Sequence, residues 1–227
     1  FLCARQQKRN LPKACMESSS THADAEDVME TQVIAADALK ADATSMERTA
    51  VADVINEMKT AVVILNWNTE GFLKKFLPGL LQSVRNVEGA EVIVADNAST
   101  DGSMTVMKEL FPEVRTISFK KNFGFTGGYN KVFEQIDSEY FVLINSDIEV
   151  TDGWLPPLIE WMDSHPECGA CAPKLHSWQE KDRFEYAGAA GGYIDRFGYP
   201  FCRGRIMKRL ETDRGQYDSP ADVFWAT

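Results

Sequence analysis

Ala61-Val62-Val63-Ile64-Leu65-Asn66-Trp67-Asn68-Thr69 opens with five apolar residues rich in β-branched side chains, then breaks into polar, turn-forming ones. Five such residues without polar alternation read as a strand buried on both faces, the mark of a parallel sheet covered by helices. The pattern recurs. Glu91-Val92-Ile93-Val94-Ala95 is a second run, ending in Asp96-Asn97-Ala98-Ser99-Thr100-Asp101-Gly102-Ser103. Tyr140-Phe141-Val142-Leu143-Ile144 is another, ending in Asn145-Ser146-Asp147. Further strands are expected near Val114 to Ile117 and near Gly169 to Lys174.

Amphipathic stretches separate these runs. A helix is expected from Glu70 to Val84 with Phe72, Phe76, Leu80, Leu81 and Val84 on its inner face, and Pro78 predicts a kink or a split. Others are expected over Met104 to Leu110, Tyr129 to Ile136 and Trp154 to Ser164, with Lys120 to Gly128 as a loop. Alternating strand and helix from Ala61 onward predicts an α/β fold: a mostly parallel, Rossmann-like sheet with helices on both faces. His176 to Asp218 has little periodicity and reads as a long irregular stretch, and Asp222 to Thr227 reads as a strand at which the chain stops. The C-terminal part of the domain is therefore expected to be incomplete.

Upstream, residues 1–57 carry few large apolar side chains and read as a disordered or loosely helical extension. Met58 directly precedes the first strong strand, so the domain is expected to span residues 58–227, with the preceding part foreign to the native protein. The charge of −10, from 34 acidic against 24 basic residues, repels a phosphate backbone and argues against nucleic acid as a partner. No apolar run is long enough for a transmembrane segment. Five scattered cysteines favour a reducing, cytoplasmic setting, and attachment at the inner face of the cell membrane would come from a lipid acceptor or from further sequence. Cys168 and Cys171 form a C-x-x-C without the second pair that structural zinc requires, so they read as small buried residues. His165 and His176 read as structural or exposed.

Ligands of open α/β sheets sit beyond the carboxyl ends of the strands, where the polar motifs fall. Asp96 to Ser103 resembles the D-x-S-x-D-G-type segment of family 2 glycosyltransferases, and Leu143-Ile144-Asn145-Ser146-Asp147 resembles their metal-binding D-x-D segment. Lys121-Asn122-Phe123-Gly124-Phe125-Thr126-Gly127-Gly128-Tyr129-Asn130 resembles the N-x-G-F-x-x-G-x-N loop of the rhamnosyltransferase-like branch. The resemblance covers roughly Lys59 to Thr227. It implies a GT-A fold and inverting transfer of sugar from a UDP- or dTDP-sugar donor to a saccharide or lipid-linked acceptor, with dTDP-rhamnose the leading donor. It also implies a bacterial enzyme of cell wall or polysaccharide biosynthesis.

Under that resemblance each motif has a chemical task. A departing nucleoside diphosphate concentrates negative charge, so a divalent ion, Mn²⁺ or Mg²⁺, held by oxygen ligands is expected. Asp147 is the metal-ligand candidate, while Asn145 stands where the first acid of D-x-D would be and, with Ser146, is expected to touch the donor. Asp96 is expected to accept from the N3–H of uracil or thymine; the alternative is an Asx turn closing the strand. Asn66 and Asn68 are expected to line the base pocket. Gly124, Gly127 and Gly128 leave backbone N–H groups free to approach the ligand, and Asn122 and Asn130 are candidates for ribose or sugar hydroxyls. Ser99 or Thr100 is expected to cap the following helix, with Asp101-Gly102 turning the chain.

Lys121 is either a phosphate contact or a solvated lysine. Arg196, Arg203, Arg205 and Arg209 read as a solvated face, or one of them as a diphosphate clamp. Tyr186, Gly191, Gly192, Tyr193 and Tyr199 are candidates for the acceptor side. The resemblance puts the catalytic base beyond Thr227, so the chain is expected to bind donor but transfer sugar poorly. A non-catalytic nucleotide-sugar-binding module is the alternative. A sugar nucleotidyltransferase fits less well, because Asn66-Trp67-Asn68-Thr69 is no Gly-rich basic loop.

Overall fold

The structure, a computed structural model, describes residues 2–6, 58–185 and 189–225. The apolar runs form parallel strands β2 (Thr60–Asn66), β3 (Ala90–Asp96), β4 (Arg115–Ser118) and β5 (Tyr140–Ile144). With β1 (Leu2–Arg5) and β6 (Ala170–Cys171) they make a six-stranded sheet in the order β4-β3-β2-β5-β1-β6. Among the described residues four helices cover it: α1 (Glu70–Val84), α2 (Ser103–Leu110), α3 (Gly124–Phe133) and α4 (Leu155–Ser164).

Side chains alternate across the strands, and each face has its own core. Val62, Ile64, Val92, Val94, Val142 and Ile144 pack with Leu73 and Leu77 of α1, Val106 and Met107 of α2, and Leu155 and Ile159 of α4. Ala61, Val63, Ile93, Ala95 and Phe141 pack with Tyr129 and Val132 of α3. The chain thus folds as a mainly parallel α/β sheet with helices on both faces.

Several expectations are corrected. Leu2–Arg5, assigned above to the extension, is a strand that pairs antiparallel with β5 and β6. Cys3 is fully buried there, and the Arg5 guanidinium donates to the Pro166 and Met162 carbonyls, so this strand is held by the core and by α4. The remainder of the expected extension, residues 7–57, lies outside the described residues. Helix α1 has the expected bounds, yet its inner face carries Leu73, Leu77, Leu80 and Val84, while Phe72 is 45% exposed. Nor does Pro78 split it. The bond Pro78 cannot donate would go to the carbonyl of Lys74, an exposed residue whose backbone water can serve.

Helix α3 begins at Gly124, five residues before its expected start. The expected strand at Gly169 to Lys174 is only Ala170–Cys171. The stretch read as irregular holds a small antiparallel sheet, ordered β10-β9-β8-β7, of β7 (Gly192–Ile194), β8 (Pro200–Cys202), β9 (Arg205–Ile206) and β10 (Arg209–Leu210). Beside it sits a third core built on Phe184, Ala189 and Ala190. The strand expected at Asp222 to Thr227 is, over its described residues, a single bridge between Gly192 and Trp225.

Candidate functional site

Strand β2 pairs in parallel with β3, Asn66 beside Asp96, and with β5, Ile64 beside Ile144. The tips carrying Asn66, Asp96 and Asn145-Ser146-Asp147 therefore share one end of the sheet.

A hydrogen-bond network builds the β2 and β3 tips. Asn66 is fully buried, and its Nδ2 donates to Asp96 Oδ1 and to Ser99 Oγ, both at 2.9 Å. Its Oδ1 accepts from Thr69 Oγ1. The expected role of Asn66 in lining a base pocket is corrected, because this amide is committed to the protein and orients Asp96 instead. Asp96, 3% exposed, accepts from Ser99 N, three residues on, at 3.1 Å through its other oxygen, a bond that closes the chain after the strand without making an Asx turn. A carboxylate has about four lone-pair directions, and two protein donors leave capacity for a ligand.

Asn68 is exposed and adopts the left-handed region with φ of 55°, which asparagine tolerates better than most residues. Its Oδ1 accepts from Thr100 N at 2.7 Å and Asp101 N at 3.3 Å, while its own N–H donates to Ser99 Oγ. Ser99 and Thr100 do not cap α2; its first residue, Ser103, donates its N–H to Asp101 Oδ1 at 2.9 Å. Asp101 Oδ2 accepts from Glu70 N at 3.0 Å, so one carboxylate ties together the starts of α1 and α2. Partial burial acts to raise its pKa, but the Ser103 and Glu70 bonds prevail and hold it below the ordinary aspartate value.

The third wall is the start of α3. Asn97, 3% exposed, donates from Nδ2 to Asn122 Oδ1 and to the Gly124 carbonyl, both at 3.0 Å, and accepts from Phe123 N at 2.9 Å. Gly124 has φ of 71°, a conformation that costs glycine little. A Cβ at Gly128 would lie 2.8 Å from the Leu65 side chain, so a glycine there lets α3 settle on β2. Asn122 and Asn130 are exposed, and Gly127 is half-buried one turn into the helix.

At the β5 tip Asn145 and Asp147 are exposed and Ser146 is buried. Among the described residues no group of three or more His, Cys, Asp or Glu is placed to hold a metal. One carboxylate beside one amide still fits a hard cation that keeps water ligands and takes further oxygens from a diphosphate, as Mg²⁺ does.

Other candidates serve the framework. Arg203 lies over the Tyr217 ring, Arg205 donates to the Met207 carbonyl, and Arg196 lies over Phe197. Gly191 and Gly192 make room for Val223 and Trp225, while Tyr186 falls outside the described residues. Lys121 rests over Phe123. Cys168 and Cys171 are half-buried. His165 stacks on Trp161, and His176 pairs with Asp213 at 2.7 Å. A surface cavity of about 420 Å³ lined by Lys59, Glu88, Gly89 and Glu160 sits at the amino ends of β2 and β3, away from the polar tips, so the candidate site rests on strand-end chemistry and not on concavity. Sequence reasoning missed Asn97 and the strut formed by Asp101. The signal for Asn97 was a polar residue directly after a buried strand, facing a glycine-rich segment.

Residues 61–217 match the profile of glycosyl transferase family 2. The chain belongs to this family. An uncharacterized protein of Mycobacterium tuberculosis is 29% identical over 120 residues, covering 49% of this chain and 33% of its own. The N-acetylglucosaminyl-diphospho-decaprenol L-rhamnosyltransferase of the same species is 24% identical over 125 residues, covering 50% of this chain and 40% of its own. The chain thus matches between a third and two-fifths of the length of these curated relatives. Among solved structures, residues 1–349 of S. aureus TarS with UDP-GlcNAc superpose with a TM-score of 0.43 at 22% identity, over 48% of this chain and 32% of that one. The mannosyltransferase PcManGT of Pyrobaculum calidifontis, with GDP-Man and Mn²⁺, gives a TM-score of 0.41 at 17% identity, over 54% of this chain and 36% of that one. In this family 2 chain the motif residues Asp96, Asn122 and Asp147 all fall inside the matched range.

Proposed function

We propose that this family 2 chain binds a UDP- or dTDP-sugar, with the pyrimidine against Asp96 and the diphosphate toward Asp147, for inverting transfer to a saccharide or lipid-linked acceptor. The observation that carries the reading is the shared end of the sheet: a buried carboxylate held rigid by Asn66, and an exposed carboxylate two strands away. A fixed acceptor such as Asp96 suits the imide N3–H of uracil or thymine and leaves cytosine, which lacks that donor, without a partner. Exposed Asn122 and Asn130 offer amides to ribose or sugar hydroxyls.

Asn145 and Asp147 would hold the divalent ion, which when bound offsets the charge developing on the leaving diphosphate. In an inverting displacement the acceptor hydroxyl attacks opposite that leaving group and gives its proton to a carboxylate. We assign that base to none of the described residues. No described helix is long and apolar enough to cross a membrane, and a lipid-linked acceptor would bring the domain to the inner membrane face. The rhamnosyl transfer named for one relative makes dTDP-rhamnose the first donor to assay.

Calorimetric titration of UDP, dTDP and CDP, with and without Mn²⁺, tests the reading. UDP and dTDP should bind about 10- to 100-fold more tightly than CDP, the range expected for one hydrogen bond to a charged acceptor. Asp147→Ala should abolish the metal-dependent part of the affinity. Equal affinity for CDP and UDP, or wild-type binding indifferent to the ion, overturns it.

A further inference from the structure

Asn97 is only 3% exposed, yet its backbone N–H and both ends of its side-chain amide are engaged with the rim of the site. Its backbone N–H donates to the Asn66 carbonyl at 2.8 Å, which locks it to the β2 tip. The two Nδ2 hydrogens go to Asn122 Oδ1 and the Gly124 carbonyl, and its Oδ1 receives Phe123 N–H. Asn122 Oδ1 takes a second donor, the Gly124 N–H at 2.7 Å. Both lone pairs of that oxygen are then filled by donors from one side. Turning the Asn122 amide over would set its NH₂ against two N–H donors and remove two hydrogen bonds at once. The orientation is therefore one-way: Oδ1 faces the protein, and Nδ2 faces outward from an exposed residue.

We propose that Asn97 is a positioning residue that fixes Asn122 so that a donor, and not an acceptor, is presented to oxygen atoms of the bound nucleotide. The inference rests on the nucleotide-binding reading above and deepens it. A fixed NH₂ group recognises acceptor oxygens, such as those of a ribose or a phosphate, and Asn97 selects that chemistry without touching the ligand. Replacing Asn97 by Asp puts an oxygen where Nδ2 stood, facing the Asn122 and Gly124 carbonyl oxygens, and removes the preference for the productive orientation.

A double-mutant cycle separates this from a general packing role. UDP and uridine are titrated into the wild-type chain, Asn97→Asp, Asn122→Ala and the double variant, and thermal unfolding is followed for each. Asn97→Asp and Asn122→Ala should each weaken UDP binding by about ten-fold, the loss at which the ranges for one hydrogen bond to a neutral and to a charged oxygen meet. The double variant should bind within about two-fold of Asn122→Ala, because Asn97 acts only through Asn122. A loss for UDP that uridine does not share assigns the contact to phosphate, and a loss common to both assigns it to ribose. Independent effects that multiply to about a hundred-fold, or unchanged affinity in Asn97→Asp, overturn the proposal. If Asn97→Asp does not fold, Asn97→Ser enters the same cycle with the same expectations. Absence of UDP binding by the folded wild-type chain would instead overturn the nucleotide-binding reading on which the cycle rests.

Discussion

Asn66→Ala removes a side chain that no solvent reaches and that joins three others. Its bond to the Asp96 carboxylate involves a charged acceptor, for which the net contribution is about 1.5–3 kcal/mol; the bonds to Ser99 and Thr69 are neutral, at about 0.5–1.5 kcal/mol each. These figures add to about 2.5–6 kcal/mol. The lower end is the safer one, because bonds made by one side chain within one network are not independent. For a domain of this size, about 2–4 °C per kcal/mol turns that lower end into a fall in melting temperature of at least about 5 °C. Circular dichroism melts of wild type, Asn66→Ala and Lys108→Ala check it, the last as a control on an exposed residue of α2. UDP affinity should fall in Asn66→Ala even at temperatures where the chain is folded, since Asp96 loses the donor that orients it. A melting shift below about 2 °C together with wild-type UDP affinity would show that the buried amide does not hold the strand tip, and the account of Asp96 as a fixed acceptor would go with it.

Two further outcomes follow from contacts outside the site. The Lys174 ammonium, ahead of opposing burial and helped by the Gly215 N–H and His176, draws the Asp213 carboxyl from its ordinary 3.8 down to about 2. A depressed folded-state pKa contributes stability that is complete above 3.8 and is lost as pH falls toward 2, so Asp213→Asn should flatten that part of an acid-unfolding curve; a variant curve parallel to wild type between pH 4 and pH 2 would contradict it. Removing residues 1–5 uncovers the β5 edge that β1 occupies and empties the place of Cys3 in the core, so the shortened chain should melt lower and exchange the Phe141 and Leu143 amides, which face β1, faster. Unchanged hydrogen exchange along β5 would mean that this strand does not belong to the working sheet.

What the sequence disclosed and what it withheld have separate physical causes. Strands β2, β3 and β5 were legible because a strand covered on both faces must be apolar throughout, and each ends where the polar motif begins. Helix α1 was found with Leu80, Leu81 and Val84 facing the core as expected, but its first two turns bury Leu73 and Leu77 in place of Phe72 and Phe76: Phe72, Phe76 and Leu80 describe a stripe as regular as Leu73, Leu77 and Leu80, and periodicity cannot choose between them. The fold decides, since Phe76 packs edge-on against Trp178 with Lys75 over the indole, a partner about a hundred residues away. The start of α3 was hidden for the opposite reason. Gly124, Gly127 and Gly128 argue locally against a helix, yet Asn97 holds its first turn and Gly128 allows the close approach to Leu65.

The site shows the same division between chemistry that is written locally and geometry that is not. Asp96, Asn122 and Asp147 could be chosen from their motifs, because a strand end followed by a turn is where an open sheet meets its ligand. The division of labour among the asparagines could not, since it depends on pairings across 25 to 30 residues that fold only together. Asn66 and Asn97, read as ligand-facing or passed over, are buried amides that orient Asp96 and Asn122. In a low-dielectric strand tip an unpaired amide is costly and a fully bonded one holds a single orientation. Buried Asn66 beside Asp96 and buried Asn97 beside exposed Asn122 are therefore what hold these two side chains of the rim in one direction.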